Sequence, residues 1–152
     1  MPIVQQFLRI FLDIVLWRRS PQDLPTSAAL VWLTLAAYVL VSAVQLLLLD
    51  ESGIVWFFFL IADPLLLAAW TWLVLKVYGH TERFQQTISA VFGTGALLGL
   101  GLYLPLQLLV TGLGLGPEST AAQVVALGLV VVFVLVTGRI IKLATDSSLF
   151  TG

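Results

Sequence analysis

Residues 27–49 read SAALVWLTLAAYVLVSAVQLLLL, a run without one charged side chain. A helix rises about 1.5 Å per residue, so about 20 such positions cross the roughly 30 Å hydrocarbon layer of a bilayer. This run is long enough. A helix on the surface of a soluble protein keeps a polar face for water, and this one has none. The rest of the chain can be ordered around it.

Three further stretches have the same character: 54–75, with Asp63 as its one charge, 88–113, which is uncharged, and 121–141. Pro25-Thr26-Ser27 offers a turn and an N-cap before the first span, and Ser119 or Thr120 offers another before the fourth. Asp50-Glu51-Ser52-Gly53 is a polar reversal short enough to force an antiparallel hairpin. Strands fit poorly, because the apolar runs lack the alternation of a membrane barrel and an open sheet edge cannot sit in lipid. The expected fold is all-α: one polytopic membrane domain over 1–152, a four-transmembrane-helix bundle with a short tail at 142–152.

Composition points the same way. The chain is 60% hydrophobic and 10% charged, where soluble domains carry about 25% charged residues. A net charge of −1 provides no field to attract nucleic acid. Cysteine is absent, which removes disulfides, thiol catalysis and thiolate metal sites together.

The seven Lys and Arg residues orient the bundle. Arg9, Arg18 and Arg19 precede the first span, Lys76 and Arg83 lie between the second and third, and Arg139 and Lys142 end the fourth. The two remaining loops hold only Asp50, Glu51 and Glu118. By the positive-inside rule, both ends of the chain are expected in the cytoplasm, with the bundle in a cell (inner) membrane. His80, the one histidine, falls in a short cytoplasmic loop and reads as a solvated residue.

The segment 1–19 differs in kind. Gln5, Arg9 and Asp13 recur every four residues with Gln6 beside them, and apolar residues cover the remainder. This is the pattern of an amphipathic helix lying in the membrane interface, with Arg9 and Asp13 spaced as an i,i+4 pair. Trp17, Arg18 and Arg19 read with Arg9 as its interfacial anchor.

Two places could carry function. Asp63 sits near the middle of the second span, where a carboxylate costs about 2.5–3.5 kcal/mol on insertion scales and by default faces the bundle interior or a water pocket. No Lys, Arg or His lies in a span at its depth. Pro64 follows it, lacks a backbone N–H and clashes with the Leu60 carbonyl, so a kink is expected there. A protonated Asp63, or a water it holds, could then serve that carbonyl, giving the pair a purely local role. The second place is Gly95-Ala96-Leu97-Leu98-Gly99, a small-xxx-small pair that lets helices approach closely within the bundle or between copies. Pro105 is expected to bend the same span. Gln45, Gln107 and Gln123 lie toward the non-cytoplasmic side and could cluster.

Enzyme signatures are lacking. There is no second intramembrane Asp, no Ser–His pair in a span, no HExxH, no glycine-rich nucleotide loop and no metal-ligand cluster. No catalytic residue, cofactor or metal is expected. The expected activity is contact within the bilayer, with lipid and with a second copy or another membrane protein, as an assembly or scaffold subunit. The alternative is a small oligomeric transporter or ion- or proton-conducting protein that uses Asp63.

The segment from Phe7 to Thr26, with Phe-Leu-Arg-Ile-Phe-Leu-Asp and then Arg19-Ser20-Pro21-Gln22-Asp23-Leu24-Pro25, resembles the lead-in to the first span of bacterial Yip1-domain proteins. Arg83-Phe84-Gln85-Gln86-Thr87 resembles the short loop that opens a later span of that family. The resemblance implies a multispanning protein without enzymatic chemistry. This chain has four spans where the family has five.

Overall fold

The computed structural model describes residues 3–49, 53–116 and 119–146, and among them there are helices and turns but no strand. The reversals expected at 50–52 and 117–118 and the tail 147–152 lie outside the described residues. In chain order the helices are α1 (Ile3–Val15), α2 (Ala28–Leu49), α3 (Gly53–Phe57), α4 (Asp63–Val77), α5 (Phe84–Leu98), α6 (Leu104–Gly112) and α7 (Thr120–Asp146). α3 continues into α4, and α5 into α6, so four helical rods are long and apolar enough to cross a membrane. Their bounds run past the expected spans: the second reaches Val77, the third begins before Ile88 and the fourth extends to Asp146.

The caps follow local chemistry. Ser27 Oγ accepts from the Leu30 amide, and Ser119 Oγ, not that of Thr120, accepts from the Ala122 amide. Ser20 and Asp23 form a reciprocal capping box around a single turn, Pro21–Asp23, with Pro21 and Leu24 buried beneath it.

Pro64 and Pro105 each follow directly on a π turn. Phe58–Ala62 is a π turn in which the Asp63 amide donates to the Phe58 carbonyl, and Pro64 follows at once. Gly99–Tyr103 repeats the device, with the Leu104 amide donating to Gly99 and Pro105 next. A proline removes one helical donor and crowds the carbonyl four residues back. Widening the preceding turn by one residue makes room for that crowding, and such turns recur at functional sites.

α5 is the centre of the bundle. Its residues Thr87–Ala96 are all buried, whereas α2, α4 and α7 turn most of their apolar surface outward. α1 docks on α5 through buried Phe11 and Ile14, while Gln5, Gln6 and Arg9 stay exposed. A Cβ on Gly93 would fall 2.2 Å from the Phe11 ring, so only glycine lets α1 seat there. α1 ends at Trp17, which adopts a left-handed φ of 67°, the helix-stop geometry usually given to glycine. That reversal brings Arg19 Nε to 3.5 Å from Asp13 Oδ2, and Arg19, not Arg9, becomes the aspartate's partner.

The ends of the rods that carry the basic residues are tied by side chains to loop and helix-terminal carbonyls. Arg83 and Gln22 donate to the carbonyls of Ala144 and Leu143 in the last turn of α7. Gln86 donates to Leu24 at 2.7 Å. Arg139 donates to the Trp17 carbonyl and stacks over its indole at 4.4 Å.

Candidate functional site

The first three rods meet at Tyr38, and the fourth faces it across a cleft. α2 and α5 approach closely because Gly95 and Gly99 lack side chains. A Cβ on Gly95 would lie 2.7 Å from the Tyr38 ring and 3.2 Å from Phe133, and one on Gly99 would meet Val41 and Gln45. The structure thus sets both glycines against α2 of the same chain. Tyr38 also stacks at a tilt on Phe92, with ring centroids 5.5 Å apart. Held between these neighbours, its hydroxyl donates to Asp63 Oδ2 at 2.5 Å.

Asp63 therefore has a partner that carries no opposite charge. It makes no ion pair among the described residues; its partner is a neutral phenol on a neighbouring rod. Pro64, next to it, is buried. The signal was present in the sequence as Tyr38, which sits mid-span rather than at an interface. Aromatic belts account for tyrosines at span ends, not for one at that depth.

Beside the Tyr38–Asp63 bond lies a cavity of about 380 Å³, open on the outer side of the bundle, where its lining residues Phe59 and Val130 are 52% and 58% exposed. α2 lines it with Val41, Ser42 and Gln45, the first π turn with Phe59, the second with Gly99 and Tyr103, and α7 with Phe133. Both π turns thus open onto the same space. Ser42 Oγ donates to the Tyr38 carbonyl, one turn back on its own helix. A smaller cavity of about 130 Å³ adjoins it, sharing Tyr103, Ala126 and Leu129 and continuing past Gln107 and Thr111 toward Leu115. The Gln107 amide lies here with neither its oxygen nor its nitrogen bonded, an uncommon state for a buried polar group. Of the three glutamines expected to cluster, Gln45 lines the first cavity and Gln107 the second, and Gln123 lines neither.

The other expected residues stand apart from the site. Arg9 and Arg18 are exposed on α1 and the turn after it, Arg19 holds Asp13, and Trp17 is stacked under Arg139. No group of His or acidic side chains among the described residues is arranged to hold a metal ion. The chemistry the cavity offers is one carboxylate, a side-chain amide and aromatic faces in an apolar setting. Compared with protein-family models, curated proteins and solved structures, the chain matches none, so neither the Yip1-domain resemblance nor the site's role draws support from a relative.

Proposed function

We propose that this chain is a multi-pass membrane protein that binds a small ligand or ion inside the bilayer, at the cavity beside Tyr38 and Asp63. The observation that carries this reading is the carboxylate itself: it faces a preformed cavity and is held by one hydrogen bond from another rod. Asp63 lies about ten residues into the second rod, roughly 15 Å from its start. A charge-bearing group at that depth is costly and is kept where it handles something. This develops the transport and conduction alternative, with both termini and the basic loops in the cytoplasm of an inner membrane.

The test is what leaves the membrane with the protein. Native mass spectrometry of the wild-type chain, extracted in mild detergent, is expected to show a bound small molecule. Ala126→Trp, which fills the cavity from α7, should release it. A wild-type protein carrying nothing beyond what the filled variant carries would remove the reading.

A second reading has its own support. α2, α4 and α7 leave most of their apolar surface uncovered, including Trp32, Leu66 and Leu127. In that reading the chain is a scaffold subunit or homo-oligomer that acts through lipid or another membrane protein. Gly95 and Gly99 are used within the chain, so α7 is the better place to look. Cysteines at Leu127 and Val134 would crosslink copies in native membrane if it holds, and fail to if it does not.

A further inference from the structure

The walls of the larger cavity combine groups that select a class of ligand. Asp63 contributes a carboxylate, one oxygen of which accepts from Tyr38. Four aromatic side chains, Tyr38, Phe59, Tyr103 and Phe133, come from all four rods to line the same space, and no Lys, Arg or His joins them. A cation over an aromatic face is attracted by the ring's quadrupole, more strongly where water is excluded.

Size and ligand number exclude the simpler cations. At about 380 Å³ the cavity falls in the range of small-molecule sites and is far larger than a bare ion. Hard metal ions require several oxygen ligands, whereas the lining supplies one carboxylate and the Gln45 amide as its strong oxygens. A neutral apolar ligand would make no use of the Asp63 carboxyl group. Building on the binding reading above, we infer that the cavity takes a lipophilic organic cation. This is an amine or quaternary ammonium whose apolar groups fill the space while its charge lies between Asp63 and the rings. The adjoining cavity, with its unpaired Gln107 amide and Thr111, continues from the same Tyr103 toward the end of α6 and is the route by which a polar headgroup enters.

The experiment uses the full chain in nanodiscs of uncharged phospholipid and two radiolabelled probes of the same shape. Benzyltrimethylammonium carries a permanent charge, and neopentylbenzene is its neutral carbon counterpart. After subtraction of empty discs, the cation is expected to bind saturably and at least tenfold more tightly than the hydrocarbon. Asp63→Asn should lose at least tenfold of that affinity. Phe133→Leu should lose about fivefold, and Phe133→Trp should restore it. Ala126→Trp, which leaves Asp63 in place, should abolish saturable binding, and this arm decides the matter if Asp63→Asn does not remain monodisperse. Equal binding of the two probes, unchanged binding in Asp63→Asn, persistence in Ala126→Trp, or no saturable binding of the cation would each overturn the inference. None of these overturns the broader reading if the native protein still carries a molecule that Ala126→Trp releases.

Discussion

Residues Thr87–Ala96 of the third rod are buried without interruption, whereas α6, the other end of the same rod, buries none of its residues. The contrast repeats at the glycines. Gly93, Gly95 and Gly99 each lie against a neighbouring side chain, while Gly101, Gly112 and Gly128 have open space where a Cβ would go. Toward the basic end, α1, the Pro21–Asp23 turn and side-chain hydrogen bonds to Leu24, Leu143 and Ala144 seal the bundle. Toward the other end the rods separate around two joined cavities. The boundary falls at the two π turns. The basic half is packed around α5 but keeps a cleft of about 350 Å³ between α2, α4 and α5, lined by Trp32, Pro64 and Phe84 with no charged side chain; the other half holds the space beside Tyr38 and Asp63.

Substitutions should divide along that boundary, measured as unfolding free energies in mild detergent. The largest effect is expected for Leu75→Ala. Leu75 is 0% exposed at the packed end, and its truncation should cost about 2–5 kcal/mol. Leu108→Ala, at a position 51% exposed on α6, should stay within about 0.5 kcal/mol of wild type. Equal costs would erase the distinction between the halves.

Gly93→Ala comes next. The new methyl group must displace buried Phe11, so a loss of about 1–3 kcal/mol and the release of α1 to proteolysis are expected. Gly101→Ala meets nothing and should leave stability unchanged or slightly raised.

Tyr38→Phe tests the junction itself. It removes the donor to Asp63 and should cost about 1–2 kcal/mol. In Asp63→Leu, where the carboxyl is gone, the same substitution should cost far less, and additive losses would mean that the bond contributes nothing. A smaller loss, about 1 kcal/mol, is expected for Gln86→Leu, which leaves the Leu24 carbonyl unserved at the packed end. Thr111→Val, whose hydroxyl bonds only its own helix, should be silent in stability.

Much of this architecture was readable in order along the chain. Four helices of spanning length are present, their caps begin where Ser27 and Ser119 predict, and Asp63 opens onto a cavity. Reading by neighbours in sequence failed where partners are remote. Arg9 looked like the companion of Asp13 because helical spacing is visible in a sequence, whereas the left-handed turn at Trp17 that returns Arg19 is not. Pro64 marks a disturbed helix in the sequence, whereas the π turn that precedes it depends on how neighbouring rods accommodate a wider helix.

Hydropathy and charge by themselves determined the number of rods, their all-helical form and the carboxylate's position within one of them. These follow from the local rule that apolar length must match the solvent it meets. Only the tertiary structure decided which rod is central, that the glycines serve α2, and that Tyr38 rather than a cation holds Asp63. Contacts between rods far apart in sequence depend on which faces meet, and helices that are apolar all round carry no stripe to say so.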